Sequence, residues 1–177
     1  MLALRITNIK EAMRLLLDKN ETAFDSFLLA EASFTTYAQM TIDGHFHPEF
    51  YSAAELDDMK REAEEAGRVF STQMIRWAQA KSQCFEFIKG THTPLRFLIT
   101  LYLAEENIVR FLAGVDTTLK AGDIAGLSLN LKYDGSNLVC TCAASLNIFS
   151  TDRSVEHAWD AMVRKFFDKY NISYEEM

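Results

Sequence analysis

The apolar positions change period several times along the chain, and each change predicts an element. Leu2, Leu4 and Ile6 alternate with Ala3 and Arg5, the period of two expected of a half-buried strand. From Asn8 the period becomes helical. Ile9, Ala12, Met13, Leu16 and Leu17 make one stripe up to about Lys19. Asn8 and Glu11 stand at capping-box spacing, and Asn20 is a suitable stop. Phe24, Phe27 and Leu28 re-enter the core. From Phe34 to Asp43 the period is two again, with Phe34, Thr36, Ala38, Met40 and Ile42 on one face, and Asp43-Gly44 reads as a turn.

A second capping box, Ser52 with Glu55, opens a helix to about Ala66. Its apolar stripe is thin (Leu56, Met59, Ala63, Ala66), and residues 55–65 hold six acids and two bases, the mark of a solvated, peripheral helix. Gly67 ends it. Residues 71–89 predict a third helix on Met74, Trp77, Ala78, Lys81, Cys84, Phe85 and Ile88, although its first half also suits an extended chain. Lys89-Gly90 is a helix end, and Pro94 prevents its resumption.

The stretch from Pro94 to Val115 organises the rest. Leu95, Phe97, Ile99, Leu101 and Leu103 share one face, with Arg96, Thr100 and Tyr102 on the other, Glu105-Glu106-Asn107 suggests a turn, and Ile108 to Ala113 reads as the returning strand of a hairpin. Leu127, Leu129, Leu131 and Tyr133 predict a further strand, Asp134-Gly-Ser-Asn137 a turn, and Leu138, Cys140, Cys142, Ala144, Leu146 and Ile148 the strand after it. The last helix, capped by Thr151-Asp152, has the clearest stripe: Val155, Ala158, Trp159, Met162, Val163, Phe166, Phe167 and Tyr170. Strands joined by short turns, with helices segregated from them, predict an α+β fold: an antiparallel sheet of five to six strands with helices packed on it, including a C-terminal amphipathic helix.

At 177 residues the chain has the length of one domain, which buries roughly 70% of its unfolded surface. Two prolines and seven glycines leave no linker composition, so a single domain over 1–177 is expected. No apolar run suggests a membrane span or secretory signal, and a cytoplasmic location is the expectation. A net charge of -7 argues against general affinity for nucleic acid or anionic membrane. It suits a protein that binds a small molecule or another protein. Oligomeric state is not legible.

Three stretches carry a resemblance: Phe87-Ile-Lys-Gly-Thr-His-Thr-Pro94, Leu129-Asn-Leu-Lys-Tyr-Asp-Gly135, and Ser145-Leu-Asn-Ile-Phe-Ser-Thr-Asp152 followed by Glu156-His-Ala-Trp-Asp160. Together they resemble a family of bacterial proteins of unknown function, over the full length of the chain. The resemblance implies a bacterial, cytosolic, single-domain protein. It implies no activity, cofactor or catalytic residue.

Few constellations offer chemistry. His45 and His47, two apart on an extended segment, could direct both imidazoles at one metal ion, with Glu49, His92 or Asp43 as further donors. The alternative is a pair of exposed loop histidines. Cys140 and Cys142 share a strand face with Leu138, Leu146 and Ile148, which favours inert core thiols over a soft-metal site, and the same holds for Cys84. No disulfide is expected among the three. His157 and Asp160 share a helix face, where a solvated pair is expected rather than an acid–base group. No nucleophile elbow, phosphate loop or dinucleotide pattern occurs.

Residues 68–110 carry six bases and three acids inside an acidic chain. Lys89, His92 and Arg96 flank the Gly90 turn and form a candidate site for an anionic small molecule or an acidic protein segment. The local alternative has Lys89 stabilising its helix end and Arg96 pairing across the sheet. The expectation is a non-enzymatic binding module with no cofactor. The competing reading is an enzyme or metal-binding protein whose site is assembled from distant residues.

Overall fold

The computed structural model describes residues 1–177. Its strands are β1 (Leu2–Ile6), β2 (Leu28–Thr35), β3 (Gln39–Asp43), β4 (Arg96–Tyr102), β5 (Ile124–Tyr133), β6 (Leu138–Leu146) and β7 (Tyr174–Glu176). Its α-helices are α1 (Ile9–Leu17), α2 (Ala53–Glu65), α3 (Trp77–Ile88), α4 (Glu105–Leu112) and α5 (Ser154–Lys169). The strands form one sheet in the order β3-β2-β4-β5-β6-β1-β7, antiparallel throughout.

The period of two sets the core. Across the sheet, Phe34, Phe97, Tyr133, Leu138 and Ile6 form one row. Ala32, Ile99, Leu131, Cys140 and Leu4 form the next, and Leu29, Leu101, Leu129, Cys142 and Leu2 the third. All but Tyr133 are buried. Between Leu29 and Glu31 the register shifts, which lets Leu29 share the face of Ala32.

Helices cover this face. α5 lies over β6 and buries Val155, Trp159, Val163 and Phe167. α3 lies beside β2 and buries Trp77, Ala80 and Cys84, and α1 packs against α3. The Trp77 indole N–H donates to the Leu16 carbonyl at 2.7 Å, and that of Trp159 to the Ser128 carbonyl at 3.2 Å. Phe166 meets Phe24 and Phe27 edge-on, at 5.1 and 5.8 Å, which ties α5 to the loop after α1. The opposite face of the sheet is mostly polar: Ser33, Thr100, Asn130 and Thr141 are half-buried, and Glu31, Arg5 and Lys132 are exposed.

Four expectations are corrected. The strand expected at Ile108–Ala113 is helix: α4 follows β4 directly, so the central hairpin does not exist. Ile108, Phe111 and Leu112 follow helical spacing, and Glu105 and Glu106 occupy the first turn, where negative charge suits the helix dipole. The single strand expected from Phe34 to Asp43 is the hairpin β2–β3, turning at Thr36-Tyr37-Ala38 with Thr36 N–H donating to the Ala38 carbonyl. With β7 this makes seven strands rather than five or six. The third helix starts only at Trp77, because residues 73–76 are extended: Leu29 N–H donates to Ile75, Ile75 N–H to Gly44, and Phe46 N–H to Gln73. Asn8 does not close a capping box. Its side-chain amide bonds the Asn171 carbonyl and accepts from Ser173 N–H, which fastens the start of α1 to the C-terminal segment. The Ser52–Glu55 capping box, by contrast, is complete.

Candidate functional site

α3 and α1 pack side by side, and their ends leave a groove of about 400 Å³ beside the loop 90–94. The loop arises locally. Lys89 leaves the helix with extended dihedrals, Gly90 has φ 153°, and Pro94 starts the approach to β4. The positive φ at Gly90 favours a residue without Cβ. The floor of the groove is apolar: Met13 and Leu17 of α1, Phe85 and Ile88 of α3. Phe85 is 43% exposed, a large ring left uncovered. The rim is basic: Lys10 and Arg14 from α1, Lys89 and His92 from the loop side, with Asp18 as the one acid.

These bases are not equally free. Arg14 is held by both Glu11 and Glu21. Lys89 pairs with Glu86 one turn earlier, with both side chains more than half exposed. An exposed pair of this kind contributes only about 0–1 kcal/mol, so Lys89 is easily re-directed. Lys10 and His92 are exposed and make no ion pair. Lys89 and His92 therefore meet in one groove as their spacing suggested. Arg96 does not: it lies outside this lining, and its Nε–H donates to the Thr35 hydroxyl at 3.3 Å across the β2–β4 pair. Lys10 and Arg14 were not nominated from sequence, because nothing in the chain signals that α1 packs against α3.

Two other bases of the 68–110 stretch, Arg76 and Lys81, have structural partners. The Arg76 guanidinium donates to the Ser26 carbonyl at 2.9 Å, the Val69 carbonyl at 3.1 Å and the Glu106 carboxylate at 2.8 Å. Lys81, buried, places its ammonium 2.6 Å from Asp25 Oδ1 and 2.5 Å from the Glu21 carbonyl. Both clamp the loop 18–27 to α3 and its N-terminus. A second cleft, about 370 Å³, runs along Arg76, Glu106 and Tyr102. Its part-buried charges, Arg76 and Glu106, are paired with each other, and Glu105, also in the lining, is exposed and makes no ion pair.

His45 and His47 lie with ring centroids 5.3 Å apart, and His47 Nδ1 is 2.9 Å from Glu49 Oε1. The carboxyl of Glu49 is held below its usual range, first by its own backbone N–H and then by His47. His92 is not with them; it lines the groove. No group of three or more His, Cys, Asp or Glu side chains converges to hold a metal ion. Cys84, Cys140 and Cys142 are free and buried. Burial pushes the Cys84 and Cys142 thiols up to about 12 and that of Cys140 higher still. Cys142 Sγ also lies 3.3 Å from Asp160 Oδ1, a carboxylate that opposes ionisation of the thiol. None of these is an activated nucleophile. No helix is long and apolar enough to cross a membrane.

An antiparallel sheet with helices on one face and a mostly polar second face defines an α+β protein. The chain belongs to the family of unknown function DUF5721, whose model matches residues 14–175 of the 177. No curated protein and no solved structure matches it.

Proposed function

We propose that this protein is a non-enzymatic binding module, and that its ligand is an anionic molecule with an apolar body seated between α1 and the C-terminal end of α3. The observation that carries the reading is the combination in one groove of an apolar floor, whose Phe85 ring is exposed, with a rim holding Lys10, Lys89 and His92. An apolar floor contributes roughly 25 cal/mol for each Å² that a ligand covers. The rim selects charge and orientation more than it adds affinity, since every cation there is exposed. Arg96, on the sheet, is not part of this site.

The reading is tested by thermal-shift titration with alkyl carboxylates and alkyl phosphates of increasing chain length at low salt. Wild-type protein is stabilised increasingly with chain length, uncharged alcohols of equal length stabilise it less, and Lys10→Ala with Lys89→Ala removes the difference between acid and alcohol. A wild-type response that ignores both chain length and charge overturns the proposal.

A further inference from the structure

The two edges of the sheet are built differently. β7 is three residues long, carries Glu175 and Glu176, and has both carboxylates held by Arg5 and Arg164. A short, charged edge of this kind resists pairing with another chain. β3 is less protected, with Asp43 at its end as its one charge. It is five residues long, Gln39-Met-Thr-Ile-Asp43, without proline, lysine or a bulge in its pairing with β2.

Its hydrogen bonding leaves a defined free edge. Thr36 N–H donates to the Ala38 carbonyl and Gly44 N–H to the Ala30 carbonyl, at 2.8 and 2.9 Å. Hydrogen-bonded pairs alternate along an antiparallel ladder, so Met40 and Ile42 bond to β2. The N–H and C=O groups of Gln39, Thr41 and Asp43 therefore point outward, away from the sheet.

We infer that β3 pairs with β3 of a second copy of this chain across a two-fold axis at Thr41, joining the two sheets into one. A second copy fits because the edge is complementary to itself. With Thr41 opposite Thr41, Gln39 stands opposite Asp43, and no like charges face each other. All three outward-pointing residues fall in hydrogen-bonded pairs with the second copy. Met40 stands opposite Ile42, and both are only half-buried against the core at the limit of the helix layer, so the second copy completes their cover. One step beyond, Tyr37, 93% exposed, stands opposite the exposed His45 of the second copy. The contact is smaller than the ~800 Å² a side of a standard stable interface. The dimer therefore dissociates on dilution.

The test is sedimentation equilibrium over a concentration series, with cysteine cross-linking. Wild-type protein shifts from monomer to dimer with rising concentration. Thr41→Pro removes the central outward donor while sparing the backbone bonds to β2, losing there only the hydroxyl contact with Ser33, and stays monomeric with an unchanged circular dichroism spectrum. If that variant fails to fold, Thr41→Lys serves in its place. Opposed residues of a hydrogen-bonded pair have Cα atoms about 5.5 Å apart, within disulfide range. Thr41→Cys thus gives a covalent dimer under mild oxidation, and Ser136→Cys, exposed in the β5–β6 turn, does not. A monomer at every concentration, or equal cross-linking of the two cysteine variants, overturns the inference.

Discussion

Trp159 is the point at which α5 is fixed to the sheet. Its side chain is 1% exposed, meets Phe111 edge-on at 6.1 Å, and donates its indole N–H to the Ser128 carbonyl at 3.2 Å. Trp159→Ala removes the buried ring, leaves a cavity between helix and sheet, and deletes the indole bond to that carbonyl. Large-to-small aromatic truncations of this kind cost about 3–5 kcal/mol. Total stabilities are about 5–15 kcal/mol, so the loss is a large share of the whole. At about 2–4 °C per kcal/mol for a chain of this size, the melting temperature should fall by roughly 6–20 °C. Trp159→Phe separates the two contributions: it keeps most of the ring but removes the indole donor to the Ser128 carbonyl, at a cost of about 0.5–1.5 kcal/mol. Urea unfolding followed by far-UV circular dichroism measures both as shifts in midpoint at constant slope. A midpoint unchanged in Trp159→Ala would refute the packing of α5 on this sheet.

Three further outcomes follow from the structure. The native protein should show no thiol reactive toward a disulfide reagent at pH 8, and three after unfolding, because burial raises Cys84, Cys140 and Cys142 alike; a fast-reacting native thiol would contradict this. Gly44→Ala would place a Cβ 1.8 Å from the Leu29 carbonyl oxygen and 2.5 Å from its carbon, both backbone atoms that cannot swing aside; a loss of at least the ~1–3 kcal/mol of an overpacked site is expected in urea unfolding, and wild-type stability would refute the close approach. The Glu156 carboxyl is pulled down to about 2, first by the Arg153 guanidinium and then by the Met1 ammonium. A carboxyl depressed in the folded state stabilises above its unfolded value, near 4.5, and that stabilisation is lost as the pH falls toward the folded value. The stability advantage of wild type over Glu156→Gln should therefore shrink between about pH 5 and pH 2, and a difference that does not vary with pH would contradict the pairing.

The strands and helices that can be read from sequence are those whose period is long and whose ends carry turn chemistry. β5 and β6, separated by Asp134-Gly-Ser-Asn137, are of this kind, as are the Ser52-capped α2 and the stripe of α5. Misreadings came where one period ran on past its element. The alternation through β4 extends to Leu103, so Glu105-Glu106-Asn107 looks like a turn when it is the first turn of α4. The β2–β3 turn is Thr36-Tyr37-Ala38, with no glycine, proline, asparagine or aspartate to mark it. β7 has only three residues and is recruited by β1. The lining of the proposed groove was half legible. Lys89 and His92 are near in sequence and meet in space, but Arg96 lies on the sheet beside Thr35. Lys10 joins through a helix contact between segments some seventy residues apart, which no periodicity encodes. Lys81 shows the same limit: it falls within an apolar stripe as a lysine whose partners, Asp25 and Glu21, belong to a distant loop.

The most direct measurement of the proposed groove is residue-resolved NMR titration of the isotopically labelled protein with a medium-chain alkyl carboxylate. The alcohol of equal length serves as the control. The account predicts saturable shifts confined to the amides of Met13, Leu17, Phe85, Ile88 and residues 89–93, weaker with the alcohol and weakened again in Lys10→Ala with Lys89→Ala. Saturable shifts centred elsewhere, on the polar sheet face or along the Arg76–Glu106 cleft, or no saturable shifts at all, would contradict it.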